Sequence, residues 1–413
     1  MNVIRFWALP HRGTETAALL KSHLRDFQRR HPGVQVEVLV RSRASIWKYL
    51  TGMLKRPEPL PPRASHPQLI EIPSYWTATL AHLGLAQNLS EMGTHSLEEW
   101  LPQVRPHCAS SPADADRAGI YSLPWWMEIG VLYHRGSADG RAGIDPEAPL
   151  DSWKSLEDFC RNLSRRGGRA RGASAVASVI GRENPRRPIS LTDVAARVWS
   201  DGGNFFAEGG SRSLLHRTEL VSSLHAYLGL AVRGWMPLMD PDVVSEGRRA
   251  SAPIFQFSGR VPRERPVARL RGVRAVPCLR GAAGRCGLLN AHHLVLLKEG
   301  PPTAEAYRLL CRLASDGEAR RYARSLGAFS CRPGWDDGDW EGRPELRDVF
   351  REAFAQARLI PNLPVMATLE QVFDRGMKRV ALAIGRGDYS EAILQREMLC
   401  SAAEMDYILS SYA

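Results

Sequence analysis

The chain has 413 residues, a net charge of +11, and 44% hydrophobic and 24% charged residues. That length suggests about two to three domains, and the apolar share excludes disordered, collagen-like and disulfide-scaffold chains. No run of about 18 consecutive apolar residues occurs, so no transmembrane helix and no direct membrane insertion are expected.

Of the 55 basic residues, six are Lys and 49 are Arg. An Arg excess fits an anionic ligand or nucleic acid. Here it is spread along the chain rather than gathered on one segment, so no nucleic-acid partner is expected. The seven Cys (108, 160, 278, 286, 311, 331 and 400) are odd in number and form no C-x-x-C pair. They predict neither a zinc site nor a disulfide framework, and they fit thiols in a reducing compartment. No basic segment followed by an apolar run opens the chain, so as it stands it reads as cytoplasmic. An export signal lying upstream would instead place it in the periplasm or at the cell surface.

Val3 to Leu9 is apolar and β-rich, and predicts a first strand. Thr14 to Arg30 carries Ala17, Leu20, Leu24 and Phe27 at helical spacing, and His31-Pro32-Gly33 stops that helix. Val34 to Val40 alternates as a second strand. Ser45 to Leu54 reads as a short helix, a Pro-rich loop follows, Leu69 to Ile72 reads as a third strand and Ser74 to Leu83 as a third helix. Strand and helix in alternation predict an α/β fold with a parallel sheet covered on both faces. Ligands of such sheets bind where strands end. Those ends lead into Trp7-Ala8-Leu9-Pro10-His11-Arg12, Arg41-Ser42-Arg43 and Pro73-Ser74-Tyr75-Trp76.

Residues 151–165, 191–230, 303–326, 344–358 and 366–384 read as helical, and 388–410 as a closing helix or pair. Arg165 to Gly172 and Arg260 to Arg274 are Arg-rich and broken by Gly or Pro. Both read as loops, since no aromatic residue interleaves the first. Asp336, Asp337 and Asp339 lack calcium-hand spacing and read as an acidic turn. No P-loop, H-E-x-x-H or G-x-S-x-G motif is present. The reading is therefore not an enzyme, with no catalytic residue, no metal and no cofactor assigned.

The order of several short motifs resembles the family 1 solute-binding proteins of bacterial ABC importers, the group that includes the maltose-type sugar binders. Phe6-Trp7, the helix ending at Phe27 and His31-Pro32-Gly33-Val34-Gln35-Val36 are similar to that family's start. Gly119-Ile120-Tyr121-Ser122-Leu123-Pro124-Trp125-Trp126-Met127-Glu128 resembles its first crossing between lobes, followed by Val131-Leu132-Tyr133-His134-Arg135. Trp199-Ser200-Asp201-Gly202-Gly203, Glu246-Gly247-Arg248-Arg249-Ala250 and Ser325-Leu326-Gly327-Ala328-Phe329 follow in the family's order. Leu359-Ile360-Pro361-Asn362-Leu363-Pro364-Val365-Met366 is similar to the run before its last helices.

The resemblance implies a two-lobe periplasmic-binding-protein-like (type II) fold with a hinge and an interlobe cleft. Lobe 1 would hold 1–124 with 280–327, and lobe 2 would hold 125–279 with 328–413. It implies a monomer that captures a carbohydrate or similar small polar solute by hinge closure and, if exported, delivers it to an ABC permease. A cytoplasmic ligand sensor on the same fold is the alternative, and a glycan-acting enzyme is a further one. Three departures stand out: the chain shows no signal peptide or lipoprotein Cys, Pro67-Gln68-Leu69 lacks the family's acid, and Thr368-Leu369-Glu370 stands where maltose-type proteins carry a stacking Trp.

Planar polar groups and aromatic faces hold sugars. The expected ligand contacts are Trp7, His11, Arg12, Arg43, Tyr75, Trp76, Trp125, Trp126, Glu128, Trp199, Arg260 and His292. In an extended strand, neighbours point to opposite faces, so Trp126 and Glu128 share a face that Trp125 does not. Of His292 and His293, at least one is expected to be packed.

Overall fold

The computed structural model describes residues 2–11, 13, 15–55, 66–109, 118–135, 150–167, 179–182, 188–238, 253–262, 273–298, 304–337, 340 and 344–412. Arg12, Glu246–Ala250, Asp339, the Pro-rich loop and most of the two Arg-rich segments lie outside the described residues.

In chain order the elements begin with strand β1 (Asn2–Ala8), helix α1 (Glu15–Arg30), β2 (Val34–Val40), α2 (Arg43–Leu54), β3 (Leu69–Pro73), α3 (Thr77–His82), β4 (Leu123–Ile129) and β5 (Val131–Arg135). Then come α4 (Trp153–Gly167), β6 (Ile180–Gly181), α5 (Leu191–Ser200), α6 (Thr218–Val232), β7 (Phe255–Ser258), β8 (Val273–Val276), β9 (Arg280–Gly281), β10 (Gly284–Arg285) and β11 (Gly287–Leu296). The chain closes with α7 (Ala304–Ala314), α8 (Asp316–Leu326), β12 (Phe329–Ser330), α9 (Pro344–Ala355), β13 (Ala357–Arg358), α10 (Met366–Arg386) and α11 (Glu391–Ser410).

These elements form two compact units. Residues 1–128, 290–338 and 361–367 make the first, and 129–289, 339–360 and 368–413 make the second. The sequence-based divisions fall somewhat earlier in the chain, and the return of 361–367 to the first unit had no counterpart in them.

In the first unit the strand order is β12-β4-β11-β3-β1-β2. The N-terminal alternation gives the expected parallel pairs, with β1 against β2 in register Asn2 to Val34 and against β3 in register Phe6 to Leu69. The sheet is mixed, however, rather than parallel throughout. β11 runs antiparallel to β3, pairing His292 with Pro73 and Leu294 with Glu71, and β12 runs antiparallel to β4. Parallel neighbours need a crossover between them, and the late strands join without the helical crossovers that link β1, β2 and β3.

Local signals explain the helices. α1 buries Leu20, Leu24 and Phe27, one stripe at spacings of four and three, with Glu15 at its start and Arg29 and Arg30 at its end. That charge order complements the helix dipole. Each such buried apolar side chain contributes about 1.5–3 kcal/mol relative to exposure. Ser42 caps α2 by accepting from the Ser45 N–H. The expected helix from Ser74 is a 3-10 turn over Ser74–Trp76 that leads into α3. The expected helix 303–326 is two helices, because Ser315 ends the first and flanks the acidic start of the second. Gly327, at φ 73°, closes α8 in the left-handed region that glycine adopts without strain.

In the second unit, β6-β7-β5-β8 form a four-stranded sheet and β9 and β10 a small hairpin. The expected helix 191–230 is interrupted at Asp201-Gly202-Gly203, leaving α5 and α6. A reciprocal pair of bonds between Ser190 and Asp193 starts α5. The long C-terminal helix α11 starts on Ser390, which accepts from the Ile393 N–H. It is fastened to the loop before α6, where the Ser213 N–H donates to Asp406 Oδ1 at 2.6 Å.

Candidate functional site

β3 reads Leu-Ile-Glu-Ile-Pro and every residue in it is buried, including Glu71 at 0% exposure. A carboxylate in such a strand is tolerated only when donors replace its lost water. Three groups do so. The Leu9 N–H donates to Oε2 at 3.0 Å, His11 Nε2 donates to Oε1 at 2.6 Å, and Trp126 Nε1 donates to Oε1 at 3.1 Å. His292 Nδ1 lies 3.4 Å from that same oxygen and has no hydrogen-bond partner.

The rings are locked against one another. His292 stacks on Trp126 with ring centres 3.9 Å apart and planes within 4°. His11 meets both rings edge-on, at 4.4 Å and 4.9 Å. On the far side of His292, Asn290 Nδ2 donates to Glu128 Oε2 at 2.8 Å, and His292 Nε2 lies 4.0 Å from that oxygen.

The electrostatics follow from this packing. Burial alone would raise the Glu71 pKa, but the imidazoles of His11 and then His292 overcome it and hold the carboxyl well below the usual carboxylate range. Burial also lowers the pKa of His292, against the pull of Glu71 and Glu128. The group therefore joins a buried carboxylate to two imidazoles, His11 hydrogen-bonded to it and His292 Nδ1 3.4 Å away.

The alternation of β4 separates its two tryptophans as the parity argument requires. Trp126 joins Glu71 and His292. Trp125 turns the other way and stacks on Tyr322 of α8 at 4.2 Å, fully buried. β11 divides its histidines likewise. His293 bonds through Nδ1 to Ser122 Oγ at 2.8 Å, which bonds in turn to Thr77 Oγ1 at 2.9 Å. Nearby, His107 Nδ1 bonds to Ser74 Oγ at 2.9 Å, and burial pushes the His107 pKa down to about 4. Both His292 and His293 are thus packed.

The structure brings four of the sequence-predicted residues into one group: His11, Trp126, Glu128 and His292. It does not bring the other described candidates into it. Trp7 is buried beside Tyr49 at 4.6 Å, with Arg41 over its ring. Arg43 Nη1 donates to Tyr75 Oη at 2.6 Å. Trp76 leans on Trp47 of α2 at 5.6 Å and has no exposed surface. The 3-10 turn points it back into the unit, against the expectation that it faces a ligand. Trp199 and Arg260 belong to the second unit. Trp199 is packed against Phe205 with Arg358 over its ring, and the Arg260 carbonyl accepts from Tyr133. A cavity of about 370 Å³ in that unit lies beside Gly202, Asn204, Arg212 and Arg217 and holds none of the Glu71 group.

Sequence reasoning missed Glu71 and Asn290. The signal for Glu71 was present, since an acid inside a wholly apolar strand of a covered sheet needs buried partners. Asn290 had only its place two residues before His292, which puts both on one face of β11.

Solved structures share this fold over nearly the whole chain. The GacH receptor of Streptomyces glaucescens GLA.O, described unliganded and with acarbose, is 14% identical with a TM-score of 0.74, and 98% of each chain is covered. MalE3 of T. maritima with maltose is 17% identical with a TM-score of 0.74, covering 99% of this chain and 100% of that one. An ABC transporter solute-binding protein from Thermotoga lettingae TMO, bound to α-D-tagatose, is 16% identical with a TM-score of 0.73, covering 99% and 100%. No family model and no curated protein matches the sequence. The fold is that of these ABC sugar-binding proteins, as the motif order implied.

Proposed function

We propose that the protein is a non-catalytic solute-binding protein for a carbohydrate or similar small polar solute, delivered to an ABC permease. The observation that carries this reading is the fold match over 98–100% of both chains to proteins described with bound acarbose, maltose and tagatose. The first unit supplies chemistry of the right kind. His11, Arg43, Glu128 and Asn290 are planar polar groups suited to sugar hydroxyls, and the Trp126–His292 stack fixes the neighbouring imidazole and carboxylate. Arg260 is the half-buried candidate of the second unit. Arg12 stays a candidate on its place in the loop after β1.

On this reading the ligand selects a closed arrangement of the two units, which small-angle scattering with and without sugar would detect. Among the described residues no helix is long and apolar enough to cross a membrane. The sensor alternative rests on the sequence, whose seven cysteines are odd in number and form no C-x-x-C pair. Cell fractionation separates the two, because recovery with the periplasm or cell surface removes the sensor.

The direct test is thermal unfolding of the chelator-treated protein with maltose, tagatose, acarbose and unrelated polar solutes. A ligand at 100 times its Kd stabilises the native state by about 2.7 kcal/mol. His11→Ala and Arg43→Ala should each shrink the shift. A folded protein that no sugar stabilises contradicts the proposal.

A further inference from the structure

We propose that His11, Glu71 and His292 form a binding site for one divalent transition-metal cation of the zinc class, with Asn290, held by Glu128, against the far nitrogen of His292. The sequence by itself assigned no metal. Three observations carry the inference.

First, His11, Glu71 and His292 come from three separate strands or turns, yet each offers a ligand atom within 4.8 Å of the others. Zinc bonds of about 2.0–2.2 Å in a tetrahedron set ligand atoms about 3.3–3.5 Å apart. The His292–Glu71 spacing of 3.4 Å already has that length. The His11–Glu71 hydrogen bond at 2.6 Å must open, as its proton gives way to the cation.

Second, His292 Nδ1 is buried, aimed at Glu71 and without a hydrogen-bond partner. A cation at that point would give the nitrogen the partner it lacks.

Third, the outer contacts are those a metal site needs. The other ring nitrogen of His292, Nε2, lies 3.3 Å from Asn290 Nδ2, which itself donates to Glu128 Oε2 at 2.8 Å. A polar partner at the far nitrogen fixes the ring orientation of a metal-bound histidine. Trp126 Nε1 and the Leu9 N–H hold the Glu71 carboxylate, one on each oxygen. Two nitrogens and one oxygen suit zinc, nickel, copper or cobalt rather than calcium or magnesium, which take oxygen ligands. Three protein ligands leave one position for water or a ligand hydroxyl. The inference does not depend on sugar binding, and its test contains no sugar.

The experiment titrates metal-stripped full-length protein with Co²⁺, read by visible absorption and calorimetry. The expected result is one equivalent bound, with tetrahedral d–d bands and no thiolate charge-transfer band. His11→Ala and His292→Phe should each lower affinity at least about 100-fold, and Asn290→Ala about 10–100-fold. His292→Phe keeps a ring on Trp126. His11 lies in the turn after β1, so His11→Ala decides the matter if the β11 variant does not fold. Unchanged affinity in His11→Ala overturns the proposal. So does a thiolate band that disappears in Cys400→Ser, the exposed cysteine, and so does a folded wild-type protein that takes up no Co²⁺ at millimolar concentration.

Discussion

Replacing Glu71 by Leu tests whether the carboxylate is the acceptor around which the first unit's polar group is assembled. Leucine nearly matches the volume and removes the buried charge. It leaves the Leu9 N–H and Trp126 Nε1 without their acceptor in a strand with no exposure. Each orphaned buried donor costs about 1–3 kcal/mol. Relief of carboxylate desolvation offsets part of this, whereas His11 loses its charged partner. Removing one partner of a buried pair typically costs about 3–5 kcal/mol, and we expect a loss in that range. Urea unfolding of metal-stripped protein at pH 7 measures it. Hydrogen exchange over β1 and β3 assigns it to the first unit. Glu71→Gln, which keeps one acceptor oxygen, should lose less than Glu71→Leu. A Glu71→Leu protein within 1 kcal/mol of wild type, with unaltered exchange in β1, would refute the reasoning.

Other consequences can be measured in the same way. Burial holds the His107 pKa at about 4 against an ordinary 6.5. The unfolded chain therefore takes up a proton below pH 6.5 that the folded protein refuses, and stability falls as pH falls, until about pH 4. At 1.36 kcal/mol per unit the gap is worth about 3 kcal/mol. His107→Gln should lose about that much less between pH 7 and 4 in chemical denaturation, while His293, which faces the same region and is also held neutral, keeps its own contribution. Trp125→Ala removes a fully buried ring stacked on Tyr322 and should cost about 3–5 kcal/mol, seen as a lowered Tm. Gly327→Ala forces a Cβ into φ 73° and should cost about 1–2 kcal/mol, read from urea midpoints.

The N-terminal α/β pattern was legible because its periods are clean. The α1 stripe of Leu20, Leu24 and Phe27 and the alternation of Val34, Val36 and Val38 both describe buried faces. Period-two parity also divided Trp125 from Trp126 correctly. The mixed sheet was not legible, because β12 is two residues long and β11 joins by pairings distant in sequence. Nor was the place of Trp76, which is set by a 3-10 turn and a partner, Trp47, on another helix. His292 and His293 are neighbours of one type, and only the strand's place in the sheet decides that one meets Glu71 and the other Ser122.

Calorimetric titration of the intact, chelator-treated protein with maltose-class oligosaccharides and simple hexoses tests the solute-binding account most directly. The account predicts saturable binding of a sugar at a single site, weakened in His11→Ala and Arg43→Ala without loss of fold. Folded protein that binds none of these sugars, or binds one with the same affinity in both variants, would contradict it.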